Sequence, residues 1–100
     1  MPIVELLYFP GCPHVPAARE QLRRALSAAQ LPGPWRELDL SREDVPAHAR
    51  GYGSPSILVD GKDVCGGAPV EGSACRIYPG SEVSGAPALA DIVAALRSHE

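Results

Sequence analysis

The sequence lacks the features that indicate a membrane or a nucleic-acid partner. No stretch approaches the roughly 20 consecutive apolar residues that a membrane-spanning helix needs. Positive charge is not in excess either, since nine Lys and Arg residues against twelve Asp and Glu residues give a net charge of −3. Nucleic-acid-binding domains usually carry a basic patch. We therefore expect no membrane and no nucleic acid as partner.

An export signal is also missing from the first residues. The opening Met-Pro-Ile-Val-Glu contains no basic residue and includes an acidic one. A signal peptide instead places a positively charged region before its apolar run. We expect a cytoplasmic protein.

The sequence contains only three cysteines, which is an odd number: Cys12, Cys65 and Cys75. No two of these are separated by only two residues, which excludes a zinc ribbon. An odd number without an export signal is poor evidence for a disulfide framework. We expect no metal, but three alternatives stay open: three reduced thiols, one bridge with one remaining thiol, or one structural zinc on Cys12, His14, Cys65 and Cys75.

What is present is the composition of one ordinary globular domain, with 45% apolar and 21% charged residues over 100 positions. An apolar run opens the chain and is typical of a strand covered on both faces. Ser41 and Asp44 resemble a helix-capping signal, Asp60-Gly61 predicts a hairpin turn, and Pro87 is a favoured first helical residue. The predicted order is strand 3–9, helix 17–30, strand 35–40, short helix 41–50, hairpin 55–65 and a helix from about 87 to 97, with a long connection over 68–86.

This order predicts an α/β fold. A strand–helix–strand unit requires parallel strands and a right-handed crossover, and the hairpin adds an antiparallel pair. The simplest assembly is a four-stranded mixed sheet with the first strand in its interior and helices on its faces.

Cys12 is the strongest candidate for chemistry, because it follows the first strand and precedes the first helix. Open α/β sheets keep their sites at this edge, and the positive end of a helix dipole lowers the pKa of a nearby thiol. Flanking Gly11 and Pro13 predict an exposed turn. The alternative is a buried cysteine that behaves as a small hydrophobic residue.

Two segments carry a family resemblance. Leu6 to His14 (LLYFPGCPH) resembles the active-site strand and loop of the thioredoxin superfamily, and Gly53 to Gly61 (GSPSILVDG) resembles its cis-proline loop and following hairpin. With the element order, the resemblance spans most of residues 3–67, and it is closest to small bacterial thioredoxin-like proteins. It implies a thioredoxin-like domain over residues 1–100 with a β-α-β-β-β-α core.

The resemblance also implies roles for individual residues. Pro55 would be cis and lie beside the nucleophilic Cys12. The backbone of Ser54 would pair with an extended peptide or with glutathione, and Pro13 would join Ser54 and Pro55 in contacting that substrate. Without the resemblance, an ordinary trans proline would be preferred.

The chain departs from the family motif in two places. Val15 stands where the second cysteine of the dithiol motif belongs, so the intramolecular exchange cycle is not available within the motif. Pro16 removes an amide donor from the first helical turn and disfavours helical geometry at Val15. Cys75 in the long connection is then a candidate resolving thiol, and a free surface or semi-buried cysteine is the alternative. His14 is a candidate proton carrier, but a solvated loop histidine is the preferred interpretation.

Three functions follow as hypotheses. The first is a thiol–disulfide redox protein that uses Cys12, with Cys75 or glutathione resolving the mixed disulfide. Its partner would be a thiol or disulfide protein or glutathione, with no other cofactor, and it would be a monomer or weak dimer. The second is a thiol protein that handles a soft metal such as mercury, and the third is a non-catalytic binding module that retains the fold. Cys65 is read as structural, with a Cys65–Cys75 bridge as the competing interpretation.

Overall fold

The computed structural model describes residues 3–31, 35–50, 52–64, 81–82 and 86–97. They form a four-stranded sheet, two α-helices and a single turn of 3-10 helix at Ala47–Ala49. The elements are β1 (Val4–Tyr8), α1 (Val15–Ala28), β2 (Arg36–Asp39), β3 (Ser56–Val59), β4 (Lys62–Asp63) and α2 (Leu89–Arg97).

The sheet has the order β2-β1-β3-β4, with β1 parallel to β2 and antiparallel to β3, and with β3 antiparallel to β4. The prediction of an α/β fold with a four-stranded mixed sheet and an interior first strand is therefore confirmed. Strand β1 is buried from Val4 to Leu7, as its apolar run predicts.

Both α-helices pack on the same face of the sheet. Successive side chains of a strand point to opposite faces, and Leu6 of β1 joins a core cluster with Leu22 of α1 and Ile92 of α2. Leu7 belongs instead to a smaller cluster on the other face, with Val45, Ala49, Tyr52 and Leu58. The expectation of helices on both faces is wrong for the described residues, in which Val45, Ala49 and Tyr52 cover the second face.

Helix α1 starts two residues earlier than predicted, at Val15, and Pro16 lies within its first turn. A proline is tolerated there because the first amides of a helix have no intrahelical partner. The helix ends at Ala28, two residues before the predicted end at Gln30. Gln30 has a φ of 58°, and the Leu31 amide donates to the Leu26 carbonyl over 3.0 Å, which together close the helix.

The Asp60-Gly61 hairpin is confirmed. Both residues have positive φ, 50° and 83°, as the tight turn between β3 and β4 requires. The Asp60 carboxylate also accepts a hydrogen bond from the Ile3 amide over 2.8 Å. The turn is thereby attached to the start of β1.

The short helix predicted over 41–50 forms only as the 3-10 turn at Ala47–Ala49, and the predicted cap at Ser41 is wrong. Ser41 does not cap a helix, because its amide and hydroxyl both donate to the Asp39 carboxylate, over 2.9 and 2.6 Å. Such local side-chain bonds compete with helix formation. The Asp44 carboxylate pairs with Arg42 at 2.9 Å, and only one 3-10 turn follows.

Helix α2 begins at Leu89 rather than at Pro87. Its predicted apolar stripe is confirmed, with Ile92 and Leu96 fully buried and Leu89 and Val93 partly buried against the same core. Neither α2 nor the 14-residue α1 has the length and apolar character that a helix needs to traverse a bilayer. Apart from residues 81–82 and 86, the predicted connection over 68–86 lies outside the described residues.

Candidate functional site

A tight turn brings Cys12 to the end of β1. Pro10 and Gly11 occupy its two central positions, Gly11 has a φ of 83°, and the Cys12 amide donates to the Phe9 carbonyl over 3.1 Å. This is the arrangement in which proline favours the second position and glycine supplies the positive φ of the third. The sequence Pro-Gly therefore decides locally where the chain reverses before Cys12.

Cys12 itself is buried, with 9% of its surface exposed, and packs in the helix-side core cluster with residues such as Val15. The expectation of an exposed Cys12 is therefore wrong. Its neighbours Gly11 and Pro13 are exposed as predicted, but Cys12 closes the turn rather than forming its tip. Its side chain therefore faces the core below the turn.

The start of α1 follows Cys12 closely. His14 is the residue before the first helical turn, and its side chain makes no capping hydrogen bond. The Val15 amide donates to the Cys12 carbonyl over 3.4 Å, and Pro16 has no amide hydrogen. The structure thus brings Cys12 to the helix N-terminus, whereas the effect of the helix on the thiol stays a prediction.

The Cys12 side chain meets a loop that is distant in sequence. The Ser54–Pro55 peptide bond is cis, which is the form that the resemblance implies. The Cys12 thiol lies with its Sγ 3.9 Å from the Ser54 carbonyl oxygen and donates to it. Two of the predicted site residues, Ser54 and Pro55, are therefore next to Cys12, and both are buried.

Two serine hydroxyls hold this loop. The Ser54 Oγ accepts a hydrogen bond from the Phe9 amide over 3.1 Å, and the Ser56 Oγ donates to the Gly53 carbonyl over 2.6 Å. The first of these bonds joins the loop to the turn that carries Cys12. Sequence reasoning considered only the backbone of Ser54; a hydroxyl residue directly before the proline was the available signal for the side-chain contact.

The remaining predicted site residues are not brought into this contact. Pro13 is exposed and His14 half-buried at the start of α1, so their roles stay predictions. Cys65 and Cys75 lie outside the described residues. Within the described ranges, no three histidine, cysteine or carboxylate side chains are grouped closely enough to hold a metal ion.

A carboxyl–imidazole pair that the sequence does not predict lies near the start of β1. The Glu5 side chain is 3% exposed, and one of its oxygens is 2.8 Å from Nε2 of the half-exposed His48. A cavity of about 410 Å³ adjoins the pair. It is lined by Ile3, Glu5, Arg36, His48, Asp60 and Gly61.

Comparison of the chain with protein-family models, with curated proteins and with solved structures gives no match.

Proposed function

We propose that this protein carries out thiol–disulfide exchange with Cys12 as its nucleophile. The observation that carries the proposal is the position of the Cys12 Sγ, 3.9 Å from the carbonyl oxygen of Ser54 and at the junction of β1 and α1. This edge of an open α/β sheet is where binding sites usually lie. A main-chain carbonyl beside a sulfur also offers an extended substrate a pairing partner next to the reacting atom.

A thioredoxin-like fold is part of the same proposal. It is supported by the order of the four strands, with β1 between β2 and β3, and by the cis peptide bond before Pro55. The resemblance implies the cis bond, and the element order on which the resemblance partly rests predicts the interior position of β1. The face opposite the helices is the point of difference, because the described part of the chain has a single 3-10 turn there.

The proposed reaction begins with loss of the Cys12 thiol proton, for which His14 is the nearby candidate acceptor. The Cys12 thiolate then attacks one sulfur of a substrate disulfide. A bond forms between Sγ and that sulfur while the substrate S–S bond breaks, and the departing sulfur leaves as a thiolate that takes up a proton. Cys12 is thereby joined to the substrate in a mixed disulfide.

A second thiol must complete the exchange, because Val15 occupies the position of the second motif cysteine. The thiolate of glutathione would attack the substrate-derived sulfur, so that the Sγ–S bond breaks, Cys12 leaves as a thiolate and the substrate is joined to glutathione in a disulfide. The thiolate of Cys75 would instead attack Sγ, so that a Cys12–Cys75 disulfide forms and the substrate leaves as a thiolate that takes up a proton. Substrate would lie along the main chain of Ser54 with Pro13 and Pro55 beside it, and because Ser54 and Pro55 are buried, this pairing requires the Ser54 main chain to become accessible. Since only 9% of Cys12 is exposed, access would come from the side of the exposed turn residues.

The test is the reaction of Cys12 with oxidised glutathione, followed by tryptic digestion and mass spectrometry. Cleavage after Arg19 releases Cys12 in the peptide 1–19, whereas Cys65 and Cys75 share the peptide 63–76. We expect glutathione on the peptide 1–19, formed faster than the exchange of glutathione with a small model disulfide. The matched control is Cys65→Ser, which should retain the modification, whereas Cys12→Ser should abolish it. A Cys12 that reacts no faster than an ordinary cysteine would contradict the proposal.

A second candidate function is a non-catalytic binding module, and the burial of Cys12 favours it. In this case Cys12 serves the core as a small apolar side chain. The same experiment separates the two functions. An unreactive Cys12, together with a Cys12→Ala variant that retains partner binding, would favour the binding module.

A further inference from the structure

We infer that the Ser54 side chain is a positioning residue for Cys12, in addition to any role of the Ser54 backbone. The positioning is inferred from the hydrogen bond between Ser54 Oγ and the Phe9 amide. Its expected effect on the reactivity of Cys12 rests on the proposed function. Ser54 is fully buried. Its hydroxyl thus acts within the fold rather than at the solvent surface.

The register of the sheet explains why a side chain is needed at this point. Val4 lies opposite Val59 and Leu7 opposite Ser56, so each step along β1 moves one step back along β3. Two further steps bring Phe9 opposite Ser54. Between them Pro55 lies opposite Tyr8, and a proline has no amide to continue the ladder.

The Ser54 hydroxyl substitutes for a main-chain carbonyl as hydrogen-bond acceptor beyond the end of the β1–β3 pairing. It accepts from the Phe9 amide, and Phe9 is the first residue of the turn that Cys12 closes through its own bond to the Phe9 carbonyl. The two bonds form a continuous connection from Ser54 through Phe9 to Cys12. The separation of Sγ from the Ser54 main chain therefore depends on this hydroxyl.

The same loop contains a matched control. The Ser56 hydroxyl is also buried, and it donates to the Gly53 carbonyl within the loop, whereas the Ser54 hydroxyl is the one bonded to the Phe9 amide. Ser54→Ala and Ser56→Ala each remove one buried hydroxyl from positions two residues apart. Only the first removes the connection to Phe9.

The experiment measures the rate of Cys12 modification by iodoacetamide and by oxidised glutathione as a function of pH, in the full chain and resolved on the peptide 1–19. We expect Ser54→Ala to react about tenfold more slowly with oxidised glutathione, because small displacements of a reacting group reduce rates steeply. Ser54→Thr, which keeps the hydroxyl, should restore most of the rate. Ser56→Ala should show the wild-type pH profile even where it lowers stability.

A measurement on the wild-type protein keeps the inference testable if Ser54→Ala does not fold. The Phe9 amide should be protected from hydrogen exchange relative to the amide of exposed Gly11, because Phe9 is bonded to a buried oxygen. Equal exchange of these two amides would overturn the inference, as would a Ser54→Ala rate equal to that of the wild type. If Phe9 is protected but wild-type Cys12 shows no reaction with oxidised glutathione, the proposed function fails while the structural connection stands.

Discussion

The two faces of the sheet are held by different forces. On the helix side, α1 and α2 cover β1 and β3 with a continuous apolar cluster that includes Leu6, Leu22 and Ile92. On the other side the apolar cluster is smaller, and polar contacts hold the covering segment together and join it to β1 at one point. The Arg50 guanidinium donates to the carbonyls of Val45 and Glu43, both at 3.1 Å, and His48 contacts Glu5.

The difference shows how a chain of this size distributes stability. Helices with apolar stripes contribute to the free energy of folding by removing apolar surface from water. This contribution does not require a specific hydrogen-bond partner for each side chain. An irregular segment covers little apolar surface and is positioned by individual hydrogen bonds, each of which contributes modestly. The helix side should therefore respond to changes of volume, and the other side to changes of polar partners.

Leu6 and Leu7 provide the largest test, because they are neighbours in β1, are both fully buried, and face opposite sides. We expect Leu6→Ala to lower the free energy of unfolding by about 4 kcal/mol and Leu7→Ala by about 2 kcal/mol. The cost depends on how far the surroundings can collapse into the cavity, and we expect the irregular stretch around Val45, Ala49 and Tyr52 to relax further than two packed helices. Chemical denaturation measures both values; a larger loss for Leu7→Ala would reverse the comparison.

The Glu5–His48 pair is the second test. A double-mutant cycle with Glu5→Gln and His48→Ala should give a coupling free energy of about 1 kcal/mol, since a nearly buried carboxylate gains from a hydrogen bond but His48 is half-exposed. The exposed Arg42–Asp44 pair is the matched control and should show a much smaller coupling. Equal coupling in the two cycles would mean that burial of Glu5 does not strengthen its contact.

The smallest expected effect concerns acid and lies on the helix side. The Leu89 amide and the Gln21 side chain donate to the Glu82 carboxylate, over 2.9 and 2.7 Å, and these bonds hold the pKa of Glu82 below its ordinary value of 4.5. A lowered native pKa contributes stability above the unfolded pKa and loses it as the pH falls through the native pKa.

Glu82→Gln keeps an acceptor oxygen and removes the charge, so it isolates this contribution. We expect the variant to be less stable than the wild type near neutral pH and the difference to shrink as the pH falls below 4.5. Urea denaturation at a series of pH values measures it. A difference that stays constant down to about pH 2 would show that the charge of Glu82 does not contribute.

Local signals in the chain predicted the parts of the fold that depend on a few neighbouring residues. Asp60-Gly61 specifies its turn because both residues tolerate positive φ. The apolar residues of α1 and α2 recur at helical spacing, and both helices form. Prediction was wrong where two local signals competed. The helix cap predicted at Ser41 does not form, because the Asp39 carboxylate accepts hydrogen bonds from both the amide and the hydroxyl of Ser41.

The candidate site also has features that the sequence predicted and features that it did not. Its location at the end of β1 followed from Cys12 standing between a strand and a helix, and the cis form at Pro55 followed from the resemblance. The burial of Cys12 did not follow, because the exposed neighbours Gly11 and Pro13 say nothing about the direction of its side chain. The link from Ser54 to Phe9 spans 45 residues, so the sequence shows the hydroxyl before the proline but not its partner.

The sequence alone thus determined where the chain turns and which stretches are apolar, because backbone conformation and side-chain chemistry are properties of short segments. Tertiary structure decided which distant groups meet. The contact of Cys12 with Ser54, the bond of Ser54 to Phe9 and the pairing of Glu5 with His48 each depend on the register of β1 with its neighbours and on where His48 and residues 53–55 lie against it. Those are set by the packing of the whole sheet rather than by any segment of it.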